Sequence, residues 1–124
     1  MSTNQETLIY NETNAQATEI KLYHRGVDYC VDKLSMPFMI GRATEKCQLS
    51  IQSDYASRQH CKIEIKNDQI GLTDQSRNGT TVKIAGSDNI VIKDMFYPLT
   101  GEGCFSLNGT LDLNDKDLIH FKLR

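Results

Sequence analysis

Three short polar clusters hold the residues of this chain that could do chemistry: Gly41-Arg42, Ser57-Arg58-Gln59-His60 and Asp74-Gln75-Ser76-Arg77-Asn78-Gly79-Thr80. An arginine is a permanently charged planar fork whose donors match the oxygens of a phosphate or carboxylate. A serine hydroxyl is a short donor and acceptor, and an asparagine amide donates and accepts at once. If the clusters meet in space, they suit an anion held by hydrogen bonds. Taken singly, each has a plainer reading: Arg42, Arg58 and Arg77 as solvated charges, and Asn78-Gly79 as a hairpin turn. A catalytic pairing of Ser57 with His60 fails on context, because no G-x-S-x-G elbow and no orienting acid accompany it. No G-x-x-x-x-G-K-[ST] phosphate loop occurs either. The expectation is a binding surface, not an enzyme, with no cofactor.

The segments around the clusters must position them, and these alternate apolar and polar residues as half-buried strands do. Thr18–Tyr23 and Tyr29–Leu34 flank a turn at Arg25-Gly26-Val27-Asp28. Phe38-Met39-Ile40 leads into the first cluster, and Leu49 and Ile51 mark a short strand between loops. Cys61–Lys66 alternates cleanly, turns at Asn67-Asp68 and returns over Gln69–Thr73. Asn78-Gly79 then offers a two-residue turn of the kind that needs positive φ at both positions. Thr81–Ile84, Asn89–Ile92, Met95–Tyr97, Cys104–Leu107 and Asp117–Phe121 complete the series, with Asn108-Gly109 as another hairpin turn and 97–103 as an elaborated hairpin. No segment keeps helical spacing over three turns. Many short strands with turn signals at short intervals predict an all-β sandwich.

Size and composition narrow the options. The 124 residues have room for one modest domain, with 39% hydrophobic and 24% charged residues. Residues 1–16 read as a polar tail with Leu8-Ile9-Tyr10 as an apolar island, and the domain is expected over 17–124. The net charge of -2 and the singly spread Lys and Arg argue against a nucleic-acid partner. Cys30, Cys47, Cys61 and Cys104 show no C-x-x-C pair, so free thiols in a reducing compartment are favoured over a zinc site. With no signal-like start and no membrane-length apolar run, the expected location is cytoplasmic. On that reading, the N-x-T matches at Asn11, Asn78 and Asn108 are coincidental.

In order and spacing, the three clusters resemble the forkhead-associated (FHA) domain pattern G-R, S-x-x-H and D-x-S-x-N-G-T. The resemblance is tight over about residues 38–84 and looser on both sides. Where the family often carries V-N-G and L-x-x-G-D-x-I, this chain has Val82-Lys83-Ile84-Ala85-Gly86 and Leu113-Asn114-Asp115-Lys116-Asp117-Leu118-Ile119. The resemblance implies an FHA-type β-sandwich of two mostly antiparallel sheets with binding loops at one end. It also implies recognition of a threonine-phosphorylated protein or peptide in intracellular signalling. Arg42, Ser57, Arg58, Arg77 and Asn78 would meet the phosphopeptide, with Ser57 offering its hydroxyl and backbone N–H.

On the same resemblance, Gly41, His60, Gly79 and Thr80 support the site, with His60 as a buried brace between loops. Tyr55 falls where the family selects the residue three places after the phosphothreonine, and a tyrosine there suggests an apolar or mixed preference. The rival function is a phospho-independent interaction scaffold on the same fold. Thr7, Thr13 and Thr18 add a further expectation, that the tail or the parent protein, once phosphorylated, could itself be the ligand.

Overall fold

The computed structural model describes residues 17–124, so the expectations for 1–16, including Leu8–Tyr10, Thr7 and Thr13, lie outside the described residues. Eleven strands follow in chain order: β1 Glu19–His24, β2 Val27–Asp32, β3 Phe38–Gly41, β4 Leu49–Ser50, β5 Cys61–Lys66, β6 Gln69–Asp74, β7 Thr80–Ile84, β8 Ile90–Ile92, β9 Phe96–Pro98, β10 Glu102–Ser106 and β11 Ile119–Leu123. One sheet has the order β2-β1-β11-β10-β7-β8, the other β4-β3-β5-β6-β9. Every pairing is antiparallel except β3 with β4.

Alternation along the strands builds the core. Ile20 and Leu22 of β1, Ile63 of β5, Leu72 of β6, Phe105 of β10 and Ile119 of β11 are all fully buried. Truncating a buried aromatic such as Phe105 to alanine costs about 3–5 kcal/mol, since the facing sheets close the cavity only in part.

One hairpin is built as the sequence predicts, and a second forms at the predicted place with a shorter turn, Arg25-Gly26 instead of 25–28, so that β2 starts at Val27 and not at Tyr29. Asn67 and Asp68 both have positive φ, at 53° and 64°, and close β5 onto β6 with Lys66 opposite Gln69. Arg25 and Gly26, at 49° and 82°, do the same between His24 and Val27. The second strand of that hairpin stops at Asp32, whose side chain caps a 3-10 turn over Lys33–Ser35.

Three expected turns are corrected. Asn78-Gly79 is not a hairpin: β6 and β7 lie in different sheets, and of the two residues only Gly79 has positive φ, at 92°. Nor is 97–103 a hairpin, because β9 belongs to one sheet and β10 to the other. Asn108-Gly109 lies inside the longer 107–118 connection between β10 and β11, with positive φ only at Gly109. In each case the chain crosses or travels instead of folding straight back, and local turn propensity carries no information about which sheet comes next.

Candidate functional site

The 42–48, 51–60 and 75–79 loops gather around the start of the β3–β5 pairing. Gly41 explains the closeness of the first two. A Cβ there would come within 2.4 Å of the Arg58 carbonyl and 2.8 Å of the His60 nitrogen, so only glycine lets the chains approach. The approach is stitched by backbone bonds: Arg42 N–H to Ser57 O at 2.9 Å, Ala43 N–H to Arg58 O at 3.0 Å and His60 N–H to Ile40 O at 2.9 Å.

His60 and Asp74 are the buried hubs. The Ser57 backbone N–H donates to His60 Nδ1 at 3.0 Å, which makes Nδ1 an acceptor and leaves the proton on Nε2. That Nε2–H donates to the Gly79 carbonyl at 3.0 Å. Burial lowers the imidazole pKa below its usual value, outweighing the Gly79 carbonyl and the nearby Asp74 carboxylate, so the ring is neutral at neutral pH. With both nitrogens engaged, His60 has none left to take a proton from Ser57.

Asp74, 1% exposed, collects the other loop. Its carboxylate accepts from Ser76 Oγ and Thr80 Oγ1, both at 2.7 Å, and from the Asp94 N–H at 2.9 Å. Ser76 Oγ in turn accepts the Gly79 N–H at 2.7 Å, and Lys93 Nζ donates to Ser76 O at 2.9 Å.

What the scaffold leaves at the surface is a pocket of about 250 Å³ lined by Arg42, Asp54, Tyr55, Ala56, Ser57, Arg58, Arg77 and Asn78. Ser57 Oγ accepts the Arg77 backbone N–H at 3.0 Å, so its own hydroxyl proton remains for a ligand. Arg42 is anchored through Nε to Ala56 O at 3.0 Å, which leaves its terminal nitrogens as donors. Arg58 is held by an ion pair with Glu45. The Glu45 carboxyl is lowered by its own backbone N–H and then by Arg58, against a partial desolvation. The side chains of Arg77 and Asn78 are exposed and make no hydrogen bond among the described residues.

The pattern of G-R, S-x-x-H and D-x-S-x-N-G-T therefore closes on one pocket, and the whole of it lies within a family match. The family model described as the FHA domain matches residues 38–122. The chain belongs to the forkhead-associated family. Solved FHA structures share its fold at low identity. A MEK1 FHA domain in complex with a HOP1 phosphothreonine peptide is 19% identical, with a TM-score of 0.65, covering 85% of this chain and 96% of that one. The Mycobacterium tuberculosis Rv1747 FHA-1 domain is 13% identical, with a TM-score of 0.61 and coverage of 86% and 97%. The human APLF FHA domain in complex with an XRCC1 bisphospho peptide is 21% identical, with a TM-score of 0.60 and coverage of 84% and 97%. No curated protein sequence matches the chain.

All six residues expected to meet or select a ligand (Arg42, Tyr55, Ser57, Arg58, Arg77 and Asn78) line this one FHA pocket. The expected supports Gly41, His60, Gly79 and Thr80 are all buried behind it. One detail is corrected: the Ser57 N–H is spent on His60 and is not offered to a ligand. Sequence reasoning missed Asp54 in the lining and Asp74, Ser76 and Lys93 as scaffold. Asp74 and Ser76 were within reach, since both stand in the motif itself. Lys93 and Asp54 carry no local signal. The described residues include no group of three His, Cys, Asp or Glu able to hold a metal, and the four cysteines are free.

Proposed function

We propose that this FHA domain binds a phosphothreonine within an extended segment of a partner protein, at the pocket between Arg42, Ser57 and Arg77. The observation that carries this reading is the division of labour at Ser57. Its oxygen is fixed by the Arg77 N–H, its N–H by His60, and only its hydroxyl proton is left beside the guanidinium groups. A phosphothreonine brings a charge of about -1.5 to -2 and three acceptor oxygens, which these donors complement. Arg42 and Ser57 hold the phosphate, Arg58 and Arg77 add charge on either side, and Asn78 grips the peptide backbone. Two FHA structures with the same fold carry phosphopeptides, which supports extending this mode to the present chain.

The domain acts as a binding module with no chemical step: both ring nitrogens of His60, the imidazole next to Ser57, are committed to holding loops. A grip on a few residues gives an affinity on the order of micromolar. Calorimetric titration with matched phosphothreonine, phosphoserine and unmodified peptides tests the proposal. The phosphothreonine form binds tightest and Arg42→Ala removes most of that binding. Binding that ignores the phosphate and survives Arg42→Ala would instead establish a phospho-independent scaffold.

A further inference from the structure

Beside the phosphate pocket opens a second, larger cleft of about 810 Å³, bounded by Ser53, Tyr55, Asn78 and the 108–115 part of the β10–β11 loop. It shares Tyr55 and Asn78 with the first pocket, so the two adjoin and a peptide held in one can extend into the other. The two differ in sign. Arginines 42, 58 and 77 line the first, whereas no Lys or Arg lines the second, and Asp112 and Asp115 do.

The acidic side is also held in place. Asp115 Oδ2 accepts from Asn108 Nδ2 at 2.7 Å, and Asn108 Oδ1 accepts from Ser53 Oγ at 2.7 Å. The Tyr55 N–H donates to the same Ser53 hydroxyl at 3.2 Å, which joins the β10–β11 loop to the residue between the two cavities. Asp112 is exposed and uses Oδ1 for the Asn114 N–H at 2.9 Å, while Oδ2 has no partner among the described residues.

Resting on the phosphothreonine reading above, we infer that the cleft bounded by Tyr55, Asn108, Asp112 and Asp115 is a subsite for a lysine or arginine of the same peptide. The preferred ligand is then a phosphothreonine with a basic residue on one flank. An extended chain advances about 3.3 Å per residue, so four positions on either side reach about 13 Å from the phosphothreonine. Asp112 supplies the contact. Asp115, with both oxygens satisfied, supplies field and shape. This replaces the apolar or mixed preference expected from Tyr55 alone, since the ring forms one wall of an acidic cleft.

The test uses synthetic phosphothreonine peptides with alanine flanks. A single lysine or glutamate is placed in turn at each of the four positions on either side, and each peptide is titrated into the whole chain. Lysine is expected to bind about three- to ten-fold tighter than glutamate at one or two positions of a single flank, a size suited to a partly exposed charge pair. Asp112→Asn keeps the oxygen that the Asn114 N–H needs and should shrink the preference to under about two-fold, while Asp112→Lys should invert it. Lysine and glutamate peptides that bind equally at every position would overturn the subsite and leave phosphothreonine binding standing. A lysine preference untouched by Asp112→Asn would overturn it as well. If no phosphopeptide binds at all, the reading of the first pocket fails and takes the subsite with it.

Discussion

Two regions of this molecule collect cations, and they differ in how firmly the surrounding structure holds the donors. On the outer face of the six-stranded sheet, Lys21, Lys83 and Lys122 border a cavity of about 440 Å³ with Tyr23, Leu113 and Phe121. At the loop end, Arg42, Arg58 and Arg77 border a smaller one of about 250 Å³. Formal cation number is the same. The lysines project on flexible stems from strands whose backbones are spent on the sheet, and Lys83 Nζ already donates to Ser87 O at 2.5 Å. The arginines stand on loops welded by His60 and Asp74, with a serine hydroxyl at their centre. Pre-positioned donors lose little freedom when a ligand arrives, whereas mobile ammonium groups must be ordered first. Preorganisation separates the two regions, not charge.

The largest effect that should break the contrast is at Asp74. Asp74→Ala strands several buried donors of the 74–80 loop at once, and urea unfolding should show a loss of about 3 kcal/mol or more. Lys83→Ala on the sheet face should change stability by less than about 0.5 kcal/mol. Next comes binding. Arg42→Ala or Ser57→Ala should each weaken a phosphothreonine peptide by about 10- to 150-fold, the equivalent of about 1.5–3 kcal/mol for a charge-assisted hydrogen bond. Lys83→Ala and Lys122→Ala should stay within about two-fold, and equal losses at both regions would erase the distinction.

Smaller still is the response to salt. Raising ionic strength from about 0.1 to 1 M shortens the screening length from ~10 to ~3 Å. Phosphopeptide affinity should fall several-fold but not vanish, because the partly enclosed bonds are screened least.

The smallest effect concerns His60. Its folded pKa lies below the unfolded value near 6.5, so the unfolded chain binds the extra proton first. The stability it contributes is complete above that unfolded value and declines as pH falls toward the folded pKa. Urea midpoints measured from pH 7.5 downwards should show the decline beginning near 6.5. At neutral pH, ¹⁵N spectra of the ring should show the proton on Nε2.

How much was legible beforehand follows from the range of the interactions involved. The β5–β6 hairpin was readable residue by residue, because alternation and the Asn67-Asp68 turn are local signals. The pocket residues were readable as well, because three motifs at family spacing fix which loops meet. What escaped depends on non-local partners. Asn78-Gly79 looks like a hairpin turn until β6 and β7 are seen to part into different sheets. There the turn residues serve the loop instead, with Gly79 presenting its carbonyl to His60 and its N–H to Ser76. Asn108 likewise carries the signature of a turn but acts as a tie between Ser53 and Asp115, across separations of 55 and 7 residues. No pattern in the local sequence announces a partner 55 residues away.

The central claim is that the loop end, and not the lysine-bordered sheet face, is the anion site. Amide and side-chain NMR spectra recorded during titration with a phosphothreonine peptide test it most directly. The account predicts shifts concentrated at Arg42, Ser57, Arg77 and Asn78, with Lys21, Lys83 and Lys122 unmoved. Shifts centred on the sheet face, or equal shifts from the unphosphorylated peptide at the loop end, would contradict it.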